Sequence, residues 1–316
     1  MTDQTVPTFL VVGAARSGTT GLVEGLRTNS QVFITDPKEP HYFALHGAPV
    51  DFQGPGDAAT INRVAVPDKD AYLALYPKGG YAVYGDGSVS TMYYHEHALP
   101  EVLRMNPDMR LVVMLREPVA RAHSSFQYMR ARGFEPLEDF LEAVRAEPQR
   151  KRDNYHHLWH YTSMSRYADA IEAMIDAVGP GRISVWFYDD LERDYEGTVS
   201  QVLRFIGAPE QEGEATGVPR VNISGTPRAA TLQRVIWAAT RHEMIRGTVK
   251  RLTSYRMRES VRRLFLRRTD VSRAALKELG PQFDDDLARL NDVLDRLSVG
   301  ERPGWLAEKA AGKGKR

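Results

Sequence analysis

The chain of 316 residues contains no cysteine. That absence excludes a disulfide framework, a cysteine-ligated zinc site and a thiol nucleophile, and it fits a reducing compartment. A charge excess is missing as well. The 42 Lys and Arg stand against 41 Asp and Glu, a formal net charge of +1. A dedicated nucleic-acid binder usually carries a clear basic surplus, so no nucleic-acid partner is expected. Long apolar runs are also absent near the start. Phe9 to Val12 is too short for a membrane span or a signal-peptide core, and no basic stretch precedes it. We therefore expect a soluble, cytoplasmic protein. What is present is ordinary for a globular chain: 42% hydrophobic and 26% charged residues, enough for a large core.

Apolar runs at 9–12, 81–84, 110–115 and 183–188 alternate with helix-period segments at 18–27, 95–105, 167–178 and 199–206. A further helix, carrying Ala122, Phe126 and Met129, is expected after Leu115. Residues 46–68 and 146–156 read as loops, the second charged and exposed. Strands that alternate with helices predict an α/β fold, a three-layer α/β/α arrangement around a parallel sheet. The helical pattern from about 229 to 308 predicts a cap on that sheet, and 309–316 is a basic tail. We expect one domain, its core at about 7–228. In such folds ligands sit beyond the carboxyl ends of the strands, which selects the loops after Val12, Tyr84, Leu115 and Tyr188.

The first of these loops, Gly13-Ala-Ala-Arg-Ser-Gly18-Thr19-Thr20, has P-loop spacing. Backbone N–H groups converging at a helix N-terminus favour an anion. A nucleoside-triphosphate P-loop would carry Lys at position 19, where this chain has Thr, and the cation is Arg16 instead.

Arg16-Ser-Gly-Thr-Thr20 resembles the 5′-phosphosulfate loop of sulfotransferases that use 3′-phosphoadenosine 5′-phosphosulfate (PAPS). Lys38-Glu39-Pro-His41-Tyr-Phe43 looks like the Lys-Glu-x-His-Phe-Phe segment of the heparan-sulfate-type and bacterial branch. Asp86-Gly-Ser-Val-Ser-Thr-Met-Tyr-Tyr94 is similar to its Glu-Lys-Ser-x-x-Tyr-Phe segment. Arg110–Gln127, with Arg116-Glu117-Pro118, Arg121 and Ser124, resembles the 3′-phosphate-binding strand and helix. These segments lie in order within 9–130, and weaker stretches at 186–191 and 203–206 extend the likeness to about 210. Arg220–Arg228 looks like the late cofactor-covering loop.

The resemblance implies in-line sulfuryl transfer from PAPS to a hydroxyl, or an amine, without a metal. The implied acceptor is carbohydrate-like, a glycolipid or a small metabolite. It makes Glu39 the base, with Arg16 and His41 as the other catalytic residues. Arg16, Ser17, Gly18, Thr19, Thr20, Arg116, Ser124 and Arg228 would bind the donor. Lys38, His41, Ser88 and Thr91 would face the acceptor. Arg121 is expected to be structural or to support the donor ligands from behind them.

Two rival readings come from the residues. Ile183–Asp190 looks like a Walker B strand, which would make the chain a P-loop small-molecule kinase with Mg²⁺ on Asp189. The segment 241–268 holds ten Arg and Lys against Glu243 and Glu259, a surplus of eight that leaves the rest of the chain at minus seven. It suits a solvated helical face, an acidic acceptor or an anionic membrane, the last giving a membrane-associated nucleotide-binding protein. His156, His157 and His160 have no evident third metal ligand among their neighbours and read as a surface cluster.

Overall fold

The computed structural model describes residues 4–210, 226–227, 266–267 and 270–311. Five strands form its central sheet: β1 (Phe9–Gly13), β2 (Val32–Ile34), β3 (Val83–Asp86), β4 (Arg110–Leu115) and β5 (Ile183–Phe187). Their order is β2-β3-β1-β4-β5, and every pairing is parallel. The chain leaves β1 for β2 on one side and later reaches β4 on the other. That arrangement opens a crevice at the carboxyl end of β1.

Strand residues alternate between two helical layers, as a period of two requires. Phe9, Val11, Val112, Met114 and Trp186 pack with Leu22, Val23 and Leu26 of α1 (Thr19–Leu26), and with Val199, Val202 and Ile206 further along the chain. Leu10, Val12, Leu111, Val113, Leu115 and Val185 face the opposite layer. Both faces are apolar, which is why these strands read as continuous hydrophobic runs. Each fully buried Leu, Ile, Val, Phe or Met contributes roughly 1.5–3 kcal/mol.

Between β2 and β3 the chain forms α2 (Tyr42–Leu45), α3 (Ile61–Val64) and α4 (Lys69–Leu73). Then come α5 (Ser90–Tyr93) and α6 (His95–Met105) before β4, and α7 (Pro118–Ala131) after it. Glu117 caps α7, accepting from the backbone N–H groups of Val119 and Ala120, and Pro118 begins the helix, where its missing donor does no harm. The chain continues through α8 (Phe140–Arg145), α9 (Glu147–Arg152) and α10 (Ala168–Val178) to β5, then α11 (Tyr188–Arg193) and α12 (Tyr195–Ile206). The C-terminal part forms α13 (Arg273–Leu279), α14 (Asp284–Leu294) and α15 (Gly304–Ala311). Asp286 of α14 accepts from the backbone of Tyr167 and Ala168 at the start of α10, so this part covers the α10 layer.

Several expectations need correction. β2 was not foreseen, and the strand expected at 81–84 lies at Val83–Asp86. The loop expected at 46–68 contains α3, and the exposed loop expected at 146–156 contains α9. Pro148 sits in the first turn of α9, where proline is tolerated. Glu147 and Arg150 are buried: Glu147 accepts from Thr162 and Ser163, and Arg150 pairs with Glu135 at 2.8 Å. Tertiary contacts thus order a segment whose composition looked like loop. Arg228 and all of 241–268 except 266–267 lie outside the described residues, as does most of the expected cap from 229.

Candidate functional site

The loop after β1 turns into α1 through Gly18, whose φ of 87° lies in the left-handed region. A Cβ there would meet Leu191 at 2.8 Å and Tyr188 at 3.0 Å, so glycine is required both by conformation and by space. No side chain caps α1, which leaves its first N–H groups to a ligand or solvent. Thr19 and Thr20 occupy its first turn. Ser17 is fully buried, and its hydroxyl has no hydrogen-bond partner. An orphaned buried hydroxyl beside an uncapped helix start fits a phosphate or sulfate oxygen.

Arg16 also has a left-handed backbone, at φ 70°. Holding a non-glycine residue there costs on the order of 1–3 kcal/mol, a strain that clusters at functional sites. Its guanidinium lies 4.5 Å from the ring centre of Tyr128, and its Nε donates to Ser124 Oγ at 3.4 Å. Two further guanidiniums hold the loop's carbonyls. Arg116 Nη1 donates to the Arg16 carbonyl at 3.2 Å, and Arg121 Nη1 to the Ala15 carbonyl at 3.3 Å. Arg121 is fully buried and also bonds Ser165 Oγ and the Tyr161 carbonyl, at 2.5 and 2.6 Å. These bonds tie the loop to the segment at 161–165. Arg116 stacks on Tyr188 at 4.4 Å, while Glu117 serves as the α7 cap.

A second cluster comes from the stretch between β2 and α2. Lys38 Nζ donates to Glu39 Oε1 at 2.8 Å, and His41 Nε2 lies 4.0 Å from Glu39 Oε2. His41 is buried with φ 58°, the second strained residue of the site. Its amide donates to Ser88 Oγ at 2.9 Å, and its Nδ1 shares a 2.8 Å hydrogen bond with Ser90 Oγ. Asp86, at the end of β3, accepts from the Ser88 N–H at 2.7 Å and from Tyr72 OH at 3.0 Å. The 86–90 stretch is thereby pinned, and it pins His41 in turn.

Burial pulls the Glu39 carboxyl upward, but Lys38, His41 and Arg16 together hold it below its ordinary value. Burial pushes His41 down, with Lys38 helping and Glu39 opposing, so the imidazole is neutral at pH 7. Asp86 is pushed up to about 6 by burial, against its hydrogen bonds from Ser88 and Tyr72.

The sequence-selected residues thus fall into two groups. Arg16, Ser17, Gly18, Thr19, Thr20, Arg116 and Ser124 surround the β1–α1 turn. Lys38, Glu39, His41 and Ser88 form one bonded cluster, and the influence of Arg16 on Glu39 brings the two groups within electrostatic reach. Thr91 is buried, and its backbone N–H reaches the Ser88 carbonyl. Ser90, Asp86, Tyr128 and Tyr188 were not foreseen. Ser90 lies two residues from Ser88, at the start of α5, and that proximity is the one signal that pointed to it.

Other expectations change here. His156, His157 and His160 are buried, not on the surface. His156 Nε2 lies 3.3 Å from Asp57 Oδ1, His160 Nδ1 bonds Tyr93 OH at 2.8 Å, and the His157 ring sits 5.8 Å from that of His41. Asp189 accepts from Trp305 Nε1 at 3.2 Å, and Asp190 pairs with Arg193 of its own helix at 2.7 Å. Among the described residues, no group of three or more His, Asp or Glu has a metal-binding arrangement, and no helix is long and apolar enough to cross a membrane.

The sequence profile of the sulfotransferase family matches residues 7–212. Carbohydrate sulfotransferase 15 of Homo sapiens is 26% identical over 174 residues, which is 44% of this chain and 30% of that protein. The Mus musculus protein of the same name is 25% identical over the same shares. The chain thus matches less than a third of these relatives' length. A crystal structure of a sulfotransferase from Alicyclobacillus acidocaldarius superposes with a TM-score of 0.72 at 24% identity, covering 95% of this chain and 99% of the other, a likeness of fold.

Proposed function

Because the chain belongs to the sulfotransferase family, we propose that it transfers a sulfuryl group from PAPS to a hydroxyl-bearing acceptor. One observation carries the reading: an uncapped helix start with an orphaned serine hydroxyl stands within electrostatic reach of a carboxylate kept ionised. An anion seat and a base are the two parts the transfer needs. PAPS, when bound, supplies the electrophilic sulfur and a phosphate leaving group.

The chain's own residues divide the work. Glu39 accepts the proton of the acceptor hydroxyl. Lys38 and neutral His41 hold that carboxylate in place, and Ser88 acts on the acceptor side through the His41 backbone. Arg16 faces the phosphosulfate and stabilises negative charge there. It cannot act as an acid, because a guanidinium does not give up its proton in a protein. The Ser17 hydroxyl and the first N–H groups of α1 complete that seat. Arg116 and Ser124 take the 3′-phosphate, Arg through charge-assisted bonds. Arg228 is a further candidate ligand from the late loop. The transfer calls on no metal, since Arg16, Lys38 and Arg116 supply the compensating charge. We read the chain as one sulfotransferase domain.

Titration calorimetry with adenosine 3′,5′-bisphosphate tests the donor assignment. Arg116→Ala should weaken binding by about ten- to a hundred-fold, the loss expected when hydrogen bonds to a charged group are removed. Unchanged affinity would reject the role of Arg116. Absence of binding to the parent chain, with no transfer of label from radiolabelled PAPS to any component of a cell extract, would reject the function.

A further inference from the structure

The two nitrogens of the His41 ring have different neighbours. Nδ1 shares a 2.8 Å hydrogen bond with Ser90 Oγ, while Nε2 lies 4.0 Å from Glu39 Oε2. The other carboxylate oxygen, Glu39 Oε1, is taken by Lys38 at 2.8 Å. The ring is neutral at pH 7, kept so by burial and the Lys38 charge against the pull of Glu39. A neutral imidazole carries one proton, so one nitrogen donates and the other accepts. The nitrogen that holds the proton decides what His41 can do.

Two features fix the choice, and each does so separately. Ser90 is fully buried, and among the described residues its hydroxyl has one hydrogen-bond partner, His41 Nδ1. Were Nδ1 the donor, the Ser90 hydrogen would be left inside the protein without an acceptor. An unpaired buried donor is costly, and with the hydroxyl donating none remains. The second feature is the charge beside Nε2. A lone pair there would set its negative end against an ionised carboxylate, whereas an N–H sets its positive end towards it. Ser88 does a different job. It accepts from the His41 backbone amide and so holds the residue, with no say in the ring proton.

We propose that Ser90 is a positioning residue: its hydroxyl donates into His41 Nδ1 and so keeps the ring's one proton on Nε2, beside Glu39. This role rests on the reading of Glu39 as the base. His41 then steadies the carboxylate, and it is no rival base at that edge. An Nε2 that already holds its hydrogen has no lone pair for the acceptor's proton.

Nitrogen NMR of the isotopically labelled full chain at pH 7 reads the tautomer, because protonated and bare ring nitrogens resonate far apart. His41→Asn identifies the signals by deleting them, and asparagine tolerates the left-handed backbone. The parent chain should show a protonated Nε2 and a bare Nδ1. Glu39→Gln should keep that pattern, because Ser90 still donates, and adding Ser90→Ala to it should mix the two forms. Ser90→Ala alone should slow transfer of label from radiolabelled PAPS to a cell extract by about two- to ten-fold, the worth of one hydrogen bond, while bisphosphate affinity stays within about two-fold. A proton on Nδ1 or on both nitrogens of the parent, a pattern lost in Glu39→Gln, an unmixed double variant, or unchanged transfer by Ser90→Ala would overturn the proposal. A parent chain that transfers nothing is a separate result. It removes the transferase reading, and the NMR pattern still decides the tautomer.

Discussion

Glu39 is a partly exposed carboxylate in contact with a cation, and its neighbours decide its working range. Burial favours the neutral acid, while Lys38, His41 and Arg16 favour the anion and prevail. The carboxylate proposed as the base is therefore ionised in mild acid. The acid limb of kcat/KM should fall below the ordinary glutamate range, and the rate should stay flat from pH 7 down to about 5. Lys38→Ala should move that limb upward, because it removes the largest charge opposing burial. Glu39→Gln should lower kcat by about 10²–10⁴ without changing bisphosphate affinity, and near-normal turnover would reject the assignment. Glu39 and His41 were legible because they stand in one contiguous motif. The partner of the imidazole was not, since Ser90 is 49 residues away and only the sheet brings it close. The same holds for Asp86: a buried aspartate and an exposed one look alike in a sequence.

At the scale of elements, the proposed anion seat depends on one backbone conformation. Gly18→Val would force a branched side chain into the left-handed region and against Leu191 and Tyr188. We expect a loss of about 1–3 kcal/mol in stability from urea melts, together with weakened bisphosphate binding, and a variant indistinguishable from the parent on both measures would refute the fit. The β1–α1 unit, α6 and β4 were readable because long, strongly periodic stretches carry their own signal. β2 was not, because three residues are too few to show a period. α9 was hidden by a different cause. Its charges and its proline resemble loop, and what holds it is a buried Arg150–Glu135 pair with Glu135 outside the helix.

Across the molecule, the main surprise is the number of neutral imidazoles inside it. Burial pushes His156 down to about 3 and His160 to about 4, and it lowers His157 and His41 as well. An unfolded histidine takes up a proton near pH 6.5, which the buried ring cannot do. Stability is therefore full above that value and is lost as pH falls towards the folded values, at a cost of about 2 kcal/mol per such ring by pH 5. Asp86 works in the opposite sense. Its raised carboxyl favours the folded state as pH falls below about 6, and Asp57 is raised too, but neither offsets several rings. Tm should drop between pH 6.5 and 5, and His156→Gln should flatten the curve. A Tm that holds steady or rises over that interval would contradict this account. Composition alone carries no warning of this, because an imidazole is polar enough for the surface and flat enough for a core. The net charge of +1 was equally reticent, since a basic segment at 241–268 is balanced by an acidic remainder.

Arg121 draws the Ala15 carbonyl to one side of the loop. Across a trans peptide the next N–H points the other way, so the Arg16 amide is turned from the guanidinium. Arg116 restrains the following carbonyl in the same manner. The loop therefore gives up its freedom when the chain folds and has little left to lose when an anion arrives. For the donor-binding role proposed for this loop, its ordering entropy is borne by folding rather than by association, so no reshaping of the loop is needed to bind an anion.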